Sequence, residues 1–144
     1  MTKDEQYMRM ALVEARAAFD AGEIPVGAVV VSRDTVLART HNLTELLNDV
    51  TAHAEMQAIT SASESLGGKY LADCTLYVTL EPCIMCAGAL GWAQLGRLVY
   101  GAVDERRGYS RFAPQALHPK TEVVSGFMAD EAAQLMKDFF KKRR

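Results

Sequence analysis

The chain has 144 residues, of which 49% are hydrophobic and 24% charged; that balance supports one buried core and excludes a solvated coil or a collagen-like fibre. Its most apolar stretch, Ile84 to Ala93, is half the roughly 20 residues a membrane-spanning helix needs, and the acidic opening Met1-Thr2-Lys3-Asp4-Glu5 is not that of a signal peptide. Sixteen Lys and Arg against eighteen Asp and Glu leave a net charge of -2, so the sum does not announce a polyanion binder, and the whole predicts a single domain, residues 1–144, in a soluble cytoplasmic protein.

Thr2 and Glu5 have capping-box spacing, Met8, Leu12, Ala15 and Phe19 form one apolar stripe, and Gly22 can stop the run. A first helix is therefore predicted from Lys3 to Ala21. β-Branched residues dominate Val26 to Val31 and Val36 to Thr40, which predicts a hairpin about Arg33-Asp34. After a polar loop, residues 42–50, a helix is predicted from Ala52 to Leu66, with Thr51 near its cap and Ala54, Ala58, Ile59, Ala62 and Leu66 turned inward. Gly67-Gly68 ends it.

Thr75 to Leu80 alternates as a strand, with Leu76, Val78 and Leu80 on one side and Tyr77 and Thr79 on the other. Pro82 then suits the first position of a helix reaching Leu95, where its missing N–H costs nothing. Leu98 to Ala102 and Thr121 to Ser125 read as further strands, and Asp130 to Lys142 as a last helix burying Leu135, Met136 and Phe139. This order predicts an α/β fold, a three-layer α/β/α sandwich on a mixed five-stranded sheet.

Two segments carry chemistry. Thr51-Ala52-His53-Ala54-Glu55 opens one helix, and Leu80-Glu81-Pro82-Cys83-Ile84-Met85-Cys86 opens the next. Cys83 and Cys86, three apart in a first helical turn, share a face, and the positive helix end favours their thiolates, which are what zinc binds. His53 becomes a third ligand if both helices start at one edge of the sheet. A structural zinc is normally closed by four protein ligands, whereas three plus a water describe a site that activates the water. Glu55 supplies the proton carrier such chemistry needs, provided that it and His53 converge in the first turn, since residues two apart do not share a helix face.

Alone, Cys-x-x-Cys after a strand also looks like a thioredoxin-like redox pair. His-x-Glu followed by Pro-Cys-x-x-Cys instead matches a zinc-deaminase signature. Cys74 has no partner at metal spacing and reads as a small buried hydrophobe. His41 and His118 read as hydrogen-bonded loop histidines, Met85 as packing, and Glu81 as a helix cap.

At these residues the chain resembles the cytidine deaminase-like superfamily, and most closely the bacterial tRNA-specific adenosine deaminases. The resemblance runs through Gly22-Glu23-Ile24-Pro25-Val26-Gly27-Ala28, His41-Asn42, Thr51 to Glu55 and Thr75 to Ala89 in order. It implies hydrolytic deamination of the wobble adenosine of a tRNA anticodon loop, with one zinc per chain held by His53, Cys83 and Cys86, Glu55 as proton shuttle and Asn42 contacting the flipped nucleoside. It also implies a homodimer whose two subunits shape the RNA groove. A deaminase of free nucleobases or nucleosides (guanine, cytosine or adenine type) would share the metal site, and the zinc motif does not separate the two.

The charge is unevenly spread. Residues 103–120 carry four basic and two acidic side chains, residues 137–144 carry five and one, and the rest is acidic. Arg106, Arg107, Tyr109, Arg111 and Phe112 alternate basic and aromatic groups suited to unpaired bases, and Phe140, Lys141, Lys142, Arg143 and Arg144 resemble the family's terminal helix. Two departures stand out: Val50 replaces a common proline, and Asp104 to Lys120 lacks the usual Gly-Ser-containing pattern.

Overall fold

The computed structural model describes residues 1–142, so Arg143 and Arg144 lie outside the described residues. Helix α1, Lys3–Asp20, opens on the capping box: Thr2 Oγ1 accepts from Glu5 N at 3.1 Å, and Glu5 Oε1 accepts from Thr2 N at 3.2 Å. Strands β1 (Gly27–Ser32) and β2 (Thr35–His41) form the expected hairpin. Arg33 and Asp34 between them both have positive φ, 50° and 63°, the twist that two-residue hairpins favour. Helix α2, Ala54–Leu66, ends on Gly67 in the left-handed region, with Gly67 N donating to Glu64 O and Gly68 N to Ser63 O.

Strand β3 (Cys74–Leu80), helix α3 (Ile84–Trp92) and strand β4 (Arg97–Ala102) form a parallel crossover unit. A short helix α4 (Tyr109–Phe112), a three-residue edge strand β5 (Glu122–Val124) and helix α5 (Ala129–Lys142) complete the described chain. The sheet order is β2-β1-β3-β4-β5, with β1 antiparallel to both neighbours and β3, β4 and β5 parallel.

Alternation along the strands divides the core between two faces. Val29, Val31, Tyr77 and Val99 pack under α1 and α5 with Met8, Leu12 and Leu135, while Ala28, Val30, Leu76, Val78 and Leu98 pack under α2 and α3 with Ala58, Ala62 and Leu90. The predicted α/β/α sandwich on a mixed five-stranded sheet is the fold observed. Gly27 lets α1 lie directly on β1, since a Cβ there would sit 2.0 Å from Ala11 O.

Four expectations need correction. Helix α2 starts at Ala54, not Ala52, because His53 is its extended N-cap residue. Helix α3 spans Ile84 to Trp92; Pro82 precedes the extended N-cap residue Cys83 rather than occupying the first helical position. Leu66 is exposed, because it ends α2 beyond the sheet. The segment read as a loop after β4 contains α4, whose Tyr109 is buried edge-on against Tyr100 and is no free stacking platform.

Candidate active site

Register brings the chemistry to one end of the sheet. Gly27 pairs with His41, Ala28 with Val78, and Leu80 with Ala102, so the start of β1 and the ends of β2, β3 and β4 lie together, and α2 and α3 both begin there. His53 and Cys83 occupy equivalent N-cap positions, φ -70°, ψ 155° and φ -73°, ψ 175°, and neither side chain makes a capping bond. Their side chains turn instead toward Cys86, buried in the first turn of α3.

His53 Nδ1 lies 3.6 Å from Cys83 Sγ and 3.6 Å from Cys86 Sγ, and the three donor atoms all lie within 4.8 Å of one another. Zinc bonds of about 2.3 Å to sulfur and about 2.0 Å to nitrogen, at tetrahedral angles, put N and S about 3.6 Å apart. The spacing therefore fits that ion, and one nitrogen with two sulfurs is a donor set it takes.

The electrostatics follow from burial and proximity. The hydrogen bond from Cys86, reinforced by His53, draws the Cys83 thiol down to about 4. Cys86 is pushed far upward by its bond to Cys83 and by burial. His53 is raised, chiefly by its bond to Cys83. Burial pushes Glu55 up to about 7, with its own backbone bond, His53 and Cys86 opposing the rise. A carboxyl poised near neutrality can take a proton and return it. Glu55 follows His53 by two residues and is buried in the first turn of α2.

Asn42 is buried just beyond β2; its N–H donates to Val26 O, and its Oδ1 accepts from Thr44 N at 3.3 Å. The predicted RNA-facing side chains Arg106, Arg107, Arg111, Phe112, Phe140, Lys141 and Lys142 are exposed, whereas Arg143 lies outside the described residues. His118 Nδ1 accepts from Lys120 N and Cys74 is buried in the core, in line with their plain readings, whereas His41, read as a loop histidine, ends β2, with its ring hydrogen-bonded to Glu14 at 2.9 Å.

Three polar residues near the site have structural partners that the sequence did not reveal. Gln57 Nε2 donates to the carbonyls of His41 at 2.8 Å and Ala52 at 3.1 Å, tying β2 to the start of α2. Glu23 is buried and accepts from the N–H groups of Glu45 and Leu46, holding the loop after Asn42. Glu81 caps no helix; it accepts from Asp104 N and Ser110 N at 3.0 Å each and from the Ser110 hydroxyl. A carboxylate in an otherwise apolar strand end, too early to reach the α3 amides, was the available signal.

A mixed sheet carrying a His-Cys-Cys donor triad at paired helix starts defines a deaminase of the cytidine deaminase-like fold. The chain belongs to the MafB19-like deaminase family, whose sequence model matches residues 2–144. A tRNA-specific adenosine deaminase of Agrobacterium fabrum (strain C58) is 44% identical over 149 aligned residues, covering 100% of this chain and 98% of that protein. A solved structure from work on A-to-I editing by tRNA:A34 deaminases at the wobble position of transfer RNA is 45% identical with a TM-score of 0.85, covering 91% of this chain and 99% of that one. A guanine deaminase from Nitrosomonas europaea superposes with a TM-score of 0.85 at 26% identity, covering 96% of this chain and 85% of that one.

Proposed function

We propose that the protein hydrolytically deaminates the wobble adenosine of a tRNA anticodon loop to inosine, releasing ammonia. The observation that carries this reading is the convergence of His53, Cys83 and Cys86 at tetrahedral spacing with Glu55 buried against them. Substrate class follows the relatives: a tRNA-specific adenosine deaminase matches along the full chain at 44% identity, whereas guanine deaminases match at 26% over 96% of the chain or at 40% over only 72% of it.

His53 Nδ1 and the sulfurs of Cys83 and Cys86 would hold one zinc ion per chain, which would supply a Lewis acid able to lower the pKa of a water to about 7. Glu55 takes a proton from the attacking water and passes it to the purine ring nitrogen as C6 becomes tetrahedral; a second transfer to the exocyclic amine lets ammonia leave. Asn42, oriented by Thr44, contacts the flipped nucleoside. Arg106, Arg107, Arg111, Lys141 and Lys142 meet phosphate, and Phe112 and Phe140 offer exposed faces to unpaired bases.

Residues 1–144 act as one domain, supported by the span of the family match. The chain works as a homodimer, supported by Ile84 and Trp92 on α3, the latter 87% exposed. Its unpaired cysteines suit a reducing cytoplasm.

An anticodon stem-loop is expected to yield inosine at a rate that falls with added salt, while guanine, cytosine and free adenosine stay unchanged. Turnover of a free base with an inert stem-loop overturns the reading in favour of a free-base deaminase, the alternative that the guanine deaminase superposition supports.

A further inference from the structure

The basic segment after β4 is held from below by a buried carboxylate that the chemistry does not use. Glu81 is 2% exposed and stands between the end of β3 and the turn bearing Cys83. Among the described residues no cation lies at salt-bridge distance from it. Its partners are Asp104 N and Ser110 N, at 3.0 Å each, and the Ser110 hydroxyl. An apolar side chain of the same size would fill this space without desolvating a charge. What only a carboxylate can do here is receive three donors from a segment that has no strand neighbour.

The rest of the segment is built to match. Asp104 Oδ1 accepts from Arg106 N at 3.0 Å and Arg107 N at 3.1 Å, Gly108 N donates to Asp104 O, and Tyr109 N donates to Pro82 O. With these amides engaged, the side chains of Arg106 and Arg107 are exposed, and Arg111, also exposed, donates from Nη1 to Glu105 O at 2.9 Å. Gly108 also forms a bridge with Cys83, and a Cβ on it would lie 2.4 Å from Glu81 Oε1 and 2.4 Å from Asp104 O. The close approach of carboxylate and chain thus requires glycine at that position.

We infer that Glu81 is a positioning residue: its carboxylate moors the Asp104–Arg111 segment to the ligand-bearing turn and so sets where Arg106, Arg107 and Arg111 meet RNA relative to the reacting base. This rests on the proposed action on tRNA. Glu81 touches neither substrate nor metal, so its loss acts on binding of the extended substrate rather than on the chemical step.

The test is Glu81→Gln in the full-length zinc-loaded protein, since an amide keeps the shape but presents NH2 to one set of donors. Expected are one zinc per chain, KM for an anticodon stem-loop raised about tenfold, and kcat within about threefold of wild type. A role confined to stability would lower the active fraction, hence apparent kcat, and leave KM in place. Trypsin without denaturant should cut after Arg106 and Arg107 about tenfold faster in the variant, reporting local opening. Unchanged KM, lost zinc, or faster cleavage only in step with global unfolding overturns the inference. If wild type is inert on the stem-loop yet the variant still opens at Arg106, the tRNA reading fails and the mooring stands. Should Glu81→Gln not fold, Ser110→Ala removes the hydroxyl bond from an exposed position; KM raised about threefold supports the inference, and unchanged KM and cleavage overturn it.

Discussion

His53 and Cys83 stand at the same position of two neighbouring helices, the N-cap, and meet at 3.6 Å. An N-cap residue has extended backbone while the next residue is already helical, so each side chain projects past the helix end instead of along its flank. Two helices starting at one sheet edge therefore aim ligands at a common point without distortion of either helix.

Removing one ligand should empty the site. Cys86→Ala leaves one nitrogen and one sulfur, and metal analysis is expected to fall from one zinc per chain to almost none, with inosine formation lost in parallel. A wild-type protein free of metal that cycles a Cys83–Cys86 disulfide would instead establish the redox reading.

Glu55→Ala separates binding from chemistry. The donors are untouched, so zinc stays at one per chain, while kcat falls about 10²- to 10⁴-fold. Deamination near the wild-type rate would remove Glu55 from its role as proton carrier.

Stability at acid pH depends on Asp4. Arg97 grips it with two bonds of 2.8 Å, and Tyr77 donates a third at 2.6 Å; the Arg97 bond leads in lowering its pKa from 3.8 to about 2. A depressed carboxyl stabilises the fold above its unfolded value, and that contribution fades as pH falls from about 4 to about 2. Asp4→Asn should cost about 1–3 kcal/mol at pH 7 in urea unfolding, and the gap to wild type should close across that window. A gap independent of pH would refute this assignment.

Salt tests the proposed phosphate contacts of Arg106 and Arg107. Each phosphate contact to unpaired RNA contributes about 0.7 to the slope of log K against log salt. Arg106→Ala with Arg107→Ala should flatten the slope for a stem-loop by about 1.4 if both meet phosphate. An unchanged slope would make them solvated charges only.

The exposed Ile84 and Trp92 on α3 test the proposed homodimer. Wild type is expected to sediment as a dimer and Trp92→Glu as a monomer of unchanged fold by circular dichroism, because a charge cannot be buried there without a partner. A monomeric wild type would refute the homodimer.

Periodicity and ligand spacing carried far here. The capping box at Thr2 and Glu5, the Arg33-Asp34 hairpin and the His-x-Glu and Cys-x-x-Cys pairs are local patterns that survive intact in the structure. What sequence reading missed depended on contacts between distant segments. Pro82 fits a helix start by the usual rule, but Cys83 bridges Gly108 and stays extended, so the helix begins later. Tyr109 looks like a stacking platform until its segment folds back onto Tyr100. The roles of Glu81, read as a helix cap, and Glu23 were not legible because their partners are backbone amides 22 to 29 residues away, and amides have no signature in composition.

The bare backbone of Gly27 has a mechanical consequence. With α1 seated on that strand without an intervening side chain, a methyl at position 27 would meet Ala11 O at 2.0 Å and Ala15 N at 2.5 Å, so Gly27→Ala would have to lift the first helix off the sheet beside Val26, whose carbonyl accepts the backbone N–H of Asn42.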